Sequence, residues 1–171
     1  QLEGAREQAA AERERLLQAQ LGELGERAEQ AYETQAAMEE KLQDAIRGML
    51  EDNGNDNRLD SGLSFSEEME MAAEKRRLQT ELQRIEQEAN RTADELRAGN
   101  PDAADELNQA LAELRDQEVD ARLAIAATYI EQGEAVYVSG SESAVTESLR
   151  DFTESMRRAE TMAGNDRPGS G

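Results

Sequence analysis

Residues 17–49 read LQAQLGELGERAEQAYETQAAMEEKLQDAIRGM, and this stretch decides the fold. Apolar or small residues recur in it at alternating steps of four and three, which is the a/d spacing of a coiled-coil seam. One seam position holds a polar residue, Gln35, and such residues fix the register between helices. The spacing predicts a long coiled-coil helix over residues 1–50, with a frayed or separately packed end over 1–15. The seam consists of Leu17, Leu21, Leu24, Ala28, Ala31, Gln35, Met38, Leu42, Ala45 and Met49.

Residues 51–65 interrupt this periodicity with Asn, Asp and Gly, and they predict an acidic loop. A second helix is expected to begin near Ser64 or Ser66, and Ser64 and Glu67 have the spacing of a capping box. In that motif each side chain hydrogen-bonds the other residue's backbone N–H. The helix has its own four-and-three seam, made of Met71, Lys75, Leu78, Leu82, Ile85, Ala89, Thr92 and Leu96.

Gly99, Asn100 and Pro101 mark a tight break between two helices. Gly99 suits a left-handed C-terminal cap, Asn100 suits an N-cap, and Pro101 suits the first helical position. A break this short folds the chain back on itself. Residues 66–138 are therefore predicted to form an antiparallel helical hairpin, with arms at 66–98 and 101–132.

The second arm carries two apolar stripes, and residues 119–138 are apolar on much of the helix circumference. Such a helix is buried by more than one neighbour, so we expect the first helix, the last helix or another chain to cover it. A closing helix is predicted over 139–164 and a disordered tail over 165–171. The stripes are Leu107, Leu111, Leu114, Ala121 and Ile125, then Val119, Leu123, Ala126 and Ile130, and in the closing helix Val145, Leu149, Phe152, Met156, Ala159 and Ala163.

Composition excludes several classes of function. The 171 residues include 19 Lys and Arg against 39 Asp and Glu, a net charge of −20, and they contain no His and no Cys. Imidazole or thiol catalysis, Cys/His metal sites and disulfides are therefore excluded. The acidic charge argues against a nucleic-acid partner, and no apolar run in the chain is long enough to cross a bilayer. We predict a protein that is not an enzyme and that has no cofactor.

The acidic loop is a candidate calcium site. With Asp56 at the first position of a twelve-residue loop, Asp60 falls at the fifth and Glu67 at the twelfth, between two helices. Arg58 stands where an oxygen ligand belongs, and Gly62 comes one position later than the turn of such a loop requires. A solvated linker is the alternative interpretation of the same residues.

Residues 103–162 resemble the helical tail of a family of large bacterial membrane-anchored proteins. The similar segments are AADELNQALAEL (103–114), AATYIEQGEAVY (126–137) and ESAVTESL (142–149). In that family a helix ends in a Gly-containing turn and an aromatic residue, and Glu-x-x-Val-Thr then opens the next helix. The family is often encoded beside MoxR-type ATPases and von Willebrand A-domain proteins. The resemblance implies membrane attachment only through segments outside this chain, a helical rod on the extracytoplasmic face, and no catalytic residues.

Together these patterns predict an all-α, elongated coiled coil in which a long N-terminal helix is joined to an antiparallel hairpin and a short closing helix. The expected function is that of a non-catalytic structural or assembly protein, a rod or scaffold that associates with itself or binds a partner helix. A calcium-responsive adaptor is the alternative. The residues expected at the protein interface are Leu17, Leu21, Leu24, Leu42, Leu78, Leu82, Ile85, Leu107, Leu111, Val119, Ile130 and Tyr137.

Overall fold

The computed structural model describes residues 2–52 and 61–165, and this part of the chain is all-α, as predicted. Five α-helices and two short 3₁₀ turns occur in these residues. The helices are α1 (Leu2–Asp52), α2 (Phe65–Leu96), α3 (Pro101–Asp116), α4 (Val119–Glu131) and α5 (Glu142–Asn165). The 3₁₀ turns, Ala135–Tyr137 and Ser139–Ser141, connect α4 to α5.

The helices form an up-and-down four-helix bundle in which α3 and α4 together make the third helix. Ion pairs give the directions: Arg27 of α1 bonds Glu81 of α2, whereas Lys41, further along α1, lies beside Glu67 near the start of α2. The helices α1 and α2 are therefore antiparallel. Since α1 packs against α2 and α5, and α3 packs against α2 and α5, the third helix lies diagonally across from α1.

The two predicted seams form the core within one chain. They pack against each other, and the α1 seam also packs against α5 while the α2 seam packs against α3 and α4. All eight seam residues of α2 are buried, as are those of α1 from Leu17 to Leu42. The last two α1 seam residues, Ala45 and Met49, are partly exposed. Residues 2–13 continue α1 as a helix with exposed side chains, so the frayed or separately packed end predicted there is not observed.

Two of the predicted helix starts are confirmed in atomic detail. Ser64 Oγ accepts from the Glu67 N–H at 3.1 Å, and Glu67 Oε1 accepts from the Ser64 N–H at 3.1 Å. Asn100 Oδ1 accepts from the Ala103 N–H at 3.1 Å, and Pro101 opens α3. These side chains satisfy N–H groups that have no partner within the helix.

The predicted left-handed cap at Gly99 is wrong, because positive φ angles among described glycines occur at Gly62 and Gly133. The turn after α2 instead closes through N–H groups of Gly99 and Asn100 that donate to the Leu96 carbonyl. At Gly62, φ is +77° and an added Cβ would lie 2.2 Å from the Ala45 carbonyl oxygen. Glycine is therefore required where the chain enters α2.

The second arm of the hairpin is not one helix over 101–132, as predicted, but breaks at residues 117–118. Glu118 adopts a left-handed conformation with φ of 53°, which is costly for a residue with a Cβ. The break inserts one residue into the apolar periodicity, so that the buried stripe passes from Leu114 to Val119. The second predicted stripe thus becomes the core face of α4, and Ile125 of the first stripe is left half exposed.

The remaining boundaries differ by a few residues from those predicted. The helix α1 ends at Asp52, two residues into the predicted loop, and α5 runs from Glu142 to Asn165. Residues 139–141, predicted to begin the closing helix, form a 3₁₀ turn. Most of the predicted acidic loop and of the predicted tail lies outside the described residues.

Candidate functional site

Three polar side chains from three helices meet in the middle of the apolar core. Gln35 of α1, Lys75 of α2 and Glu142 of α5 are each at most 1% exposed. Lys75 Nζ donates to Gln35 Oε1 at 2.7 Å and to Glu142 Oε2. Gln35 Nε2 donates to the same Glu142 Oε2 at 2.6 Å. We call these three residues the core triad.

The core triad lies in dry surroundings. The residues one turn away on the same helix faces are buried and apolar: Ala31, Met38, Met71, Leu78 and Val145. Burial lowers the pKa of the Lys75 ammonium, and the neighbouring Glu142 carboxylate partly offsets that effect. The triad is therefore an ion pair and an amide held out of water, where electrostatic interactions are strong and an unpaired charge is costly.

The predicted seams contain two members of the core triad but not the third. Gln35 and Lys75 both occupy predicted seam positions. Glu142 stands three residues before Val145 and so extends the apolar stripe of the closing helix backwards by one turn. A charged residue at a seam position of one helix requires a partner from another, and this requirement was the available signal.

A second group of polar atoms lies at the break between α3 and α4. Glu86 of α2 hydrogen-bonds to the carboxyl of Asp120 in the first turn of α4. Burial and this neighbouring acid raise the pKa of Glu86 to about 8, whereas the nearby Arg115 acts in the opposite direction. Asp120 Oδ1 is buried and has no hydrogen-bond partner in the described part of the chain. Glu86 therefore holds a proton at neutral pH.

This carboxyl pair makes stability depend on pH. The folded protein binds a proton at Glu86 more tightly than the unfolded chain, whose glutamate pKa is about 4.5. The stability that this proton on Glu86 contributes is therefore fully present below about pH 4.5 and is lost as the pH rises towards 8. Glu86→Gln is expected to flatten the decline of the free energy of unfolding between pH 5 and pH 8. The slopes of the free energy of unfolding against pH differ between the wild-type protein and Glu86→Gln by less than ~1.4 kcal/mol per pH unit, because water screens the half-exposed carboxyl pair.

Urea unfolding at several pH values measures this effect, and the exposed Glu70 of the same helix provides the control. Glu70→Gln should leave the pH dependence of the wild-type protein unchanged. Parallel curves for Glu86→Gln and the wild-type protein would show that Glu86 does not bind its proton more tightly on folding.

An apolar surface remains exposed along α4 and the 3₁₀ turn after it. Ile125, Tyr129 and Tyr137 are 51%, 37% and 62% exposed, and the two tyrosine rings lie 6.3 Å apart. Ile125 and Tyr129 are one turn apart on the helix, so they face the same side. We call these three residues the α4 face. Residues 119–138 are covered mainly by α2 and not, as predicted, by the first or the last helix, and this side of α4 stays open. A cover supplied by another chain stays a prediction.

The structure places eleven of the twelve predicted interface residues in the core of a single chain. Each is at most 7% exposed, so none is available to another protein while the bundle is folded. The twelfth, Tyr137, belongs to the α4 face. The sequence pattern located the apolar seams, but the partner helices come from the same molecule.

The described residues do not assemble the predicted calcium site. Asp56 and Asp60 lie outside the described residues, and the carboxylate of Glu67 serves the capping box. The backbone N–H of Ser64 lowers the pKa of Glu67 for that reason. Within residues 2–52 and 61–165, no group of three acidic residues is arranged to hold a metal ion. The calcium site stays a prediction.

Comparisons with known proteins return no relative. No family model matches the chain, and neither the curated proteins nor the solved structures contain a match. Among the described helices, none is long and apolar enough to cross a membrane.

Proposed function

We propose that this protein is a non-catalytic helical scaffold that binds an α-helix on its α4 face. The helix is supplied by a second copy of the chain or by a partner protein. The observation that carries the proposal is the exposure of Ile125, Tyr129 and Tyr137 together on one side of α4.

The break at residues 117–118 supports this function, because it is the reason that the face is open. A continuous third helix would keep the first stripe, and therefore Ile125, on the core side. The break turns this stripe outwards at the cost of a left-handed Glu118. Contiguous exposed apolar groups are typical of interaction sites, and tyrosines are enriched in such sites.

The rest of the bundle supports a scaffold role through its rigidity. Ion pairs connect neighbouring helices along its length, among them Arg27 with Glu81, Arg76 with Glu131 and Arg158 with Glu106. The first twelve described residues of α1 extend the helix with exposed side chains. A rigid bundle of this kind presents its binding face in a fixed orientation, which lowers the entropic cost of association.

Light-scattering mass as a function of protein concentration tests the self-associating form. Ile125→Asp places a charge in the centre of the α4 face and is expected to lower the mass to that of the monomer without changing the helical circular dichroism. Leu16→Asp is the matched control, because Leu16 is 64% exposed and lies in α1, away from the face. It should behave as the wild-type protein does.

A wild-type chain that stays monomeric at every concentration would contradict self-association. The partner-helix form is then measured by titrating an amphipathic helical peptide of positive charge and following the tyrosine fluorescence, to which Tyr129 and Tyr137 contribute together with Tyr32. Equal binding by the wild-type protein and Ile125→Asp would contradict the α4 face as the site.

A further inference from the structure

The core triad brings together the three groups that amide-bond exchange requires: an amine, a primary carboxamide and a carboxyl group. We propose that Lys75 and Gln35 join in a covalent isopeptide bond, with Glu142 carrying the proton. This inference is independent of the scaffold function proposed above, since it concerns residues of the core and not the α4 face.

The hydrogen bonds bring the reacting groups into contact. Lys75 Nζ lies 2.7 Å from Gln35 Oε1, so the amide carbon Cδ is one bond beyond the atom that Nζ already contacts. Glu142 Oε2 contacts Lys75 Nζ and also accepts from Gln35 Nε2 at 2.6 Å. A single carboxylate oxygen therefore touches both the nitrogen that forms the new bond and the nitrogen that leaves.

The reaction balances without any further reactant. The Lys75 ammonium first gives a proton to Glu142, and the Nζ lone pair then attacks Gln35 Cδ. Glu142 passes this proton to Nε2 and takes the second proton that Nζ loses, the Cδ–Nε2 bond breaks, and ammonia leaves with that second proton as ammonium. The product is a Gln–Lys amide, Glu142 is regenerated, and no group is oxidised or reduced. Proton transfer by a positioned carboxyl group is ordinary general acid–base catalysis.

The core environment favours the nucleophilic form of the amine. Burial lowers the pKa of Lys75, and a desolvated lysine is a stronger nucleophile than a hydrated ammonium. The other acids that act on Lys75 are Glu39 and Glu74, and the Glu39 carboxylate is engaged by the Thr146 hydroxyl. Holding amine and amide in contact for the lifetime of the fold replaces an encounter in solution, which is a large kinetic advantage.

The bond would fasten α1 to α2 in the middle of the bundle. It would close the segment between residues 35 and 75, which contains the predicted acidic loop, and so restrict the unfolded chain as a disulfide does. A chain without cysteine would thereby gain a covalent connection between its first two helices.

Intact-mass spectrometry of the denatured full chain tests the proposal. The wild-type protein is expected to be lighter than its sequence mass by about 17 Da, the mass of the ammonia that leaves. After trypsin digestion, residues 28–41 should be found joined to residues 59–76, because the modified Lys75 no longer permits cleavage after it. Lys75→Arg and Glu142→Gln should both have their full sequence mass.

The joined peptide decides the question even where a variant fails to fold. Cyclisation of Gln1 at the chain start removes the same mass, but it alters the peptide of residues 1–6 and persists in Lys75→Arg. A mass loss confined to that peptide, or a wild-type chain of full mass after prolonged incubation in the folded state, would overturn the proposal.

Discussion

Replacing Lys75 with Met is expected to lower the free energy of unfolding by about 3–5 kcal/mol, because the variant leaves a buried charge without its partner. The side chain of Glu142 is buried and its carboxylate pairs with Lys75 in the wild-type protein. The uncharged amide of Gln35 cannot replace the positive charge that the Glu142 carboxylate loses. In a chain that carries the proposed isopeptide bond Lys75 is uncharged, and the same substitution then lowers stability by removing the covalent connection instead. Urea denaturation followed by circular dichroism measures the change.

The matched control for this experiment removes the whole core triad. The variant that combines Gln35→Leu, Lys75→Met and Glu142→Leu has no charge at the position of the core triad, and apolar side chains of similar size fill the same space. It is expected to be more stable than Lys75→Met alone, since apolar replacements of buried ion pairs are often neutral or stabilising. A single Lys75→Met variant within ~1 kcal/mol of the wild-type protein would contradict a buried ion pair at this position.

Leu82→Asp is expected to abolish most of the helical circular dichroism at room temperature. Leu82 is fully buried in α2. A carboxylate at this position would be a buried charge without a cation beside it, and it would leave part of the space that the leucine fills unoccupied. The expected loss of about 4–5 kcal/mol or more approaches the whole stability of an ordinary domain. Leu24 is also buried, and Leu24→Asp should have the same effect. Any association that requires the folded α4 face should be lost together with the helicity.

Leu16→Asp shows whether burial or charge is responsible. It introduces the same carboxylate at a leucine that is 64% exposed, next to the buried Leu17. This variant should retain the wild-type circular dichroism and melting temperature. A wild-type melt for Leu82→Asp would mean that the α2 seam does not face the core.

The seams and helix starts of the bundle could be predicted because they depend on local pattern. The a/d spacing from Leu17 to Leu42 and from Met71 to Leu96 marks one face of each helix, and that face is buried. Ser64 and Asn100 cap their helices through bonds that span three residues. These interactions involve residues that are close together in the sequence, so the local sequence is enough to predict them.

The break at residues 117–118 could not be predicted from the same pattern. Residues 101–132 contain no proline after Pro101 and no glycine, and the two overlapping stripes are compatible with a single helix. The buried stripe is the one on the side of α4 that packs against α2. Local pattern does not contain this contact, because α2 and α4 lie far apart in the sequence.

The sequence by itself determined that this protein is helical, where its helices begin and which faces of them are apolar, because periodicity and capping act over a few residues. Tertiary structure alone decided that the apolar seams are satisfied within one chain and that Glu142 joins Gln35 and Lys75. It also decided that Ile125 faces outwards. The reason is physical: a helix face carries no information about which other helix will cover it, and only the packing of all the faces together selects the partners.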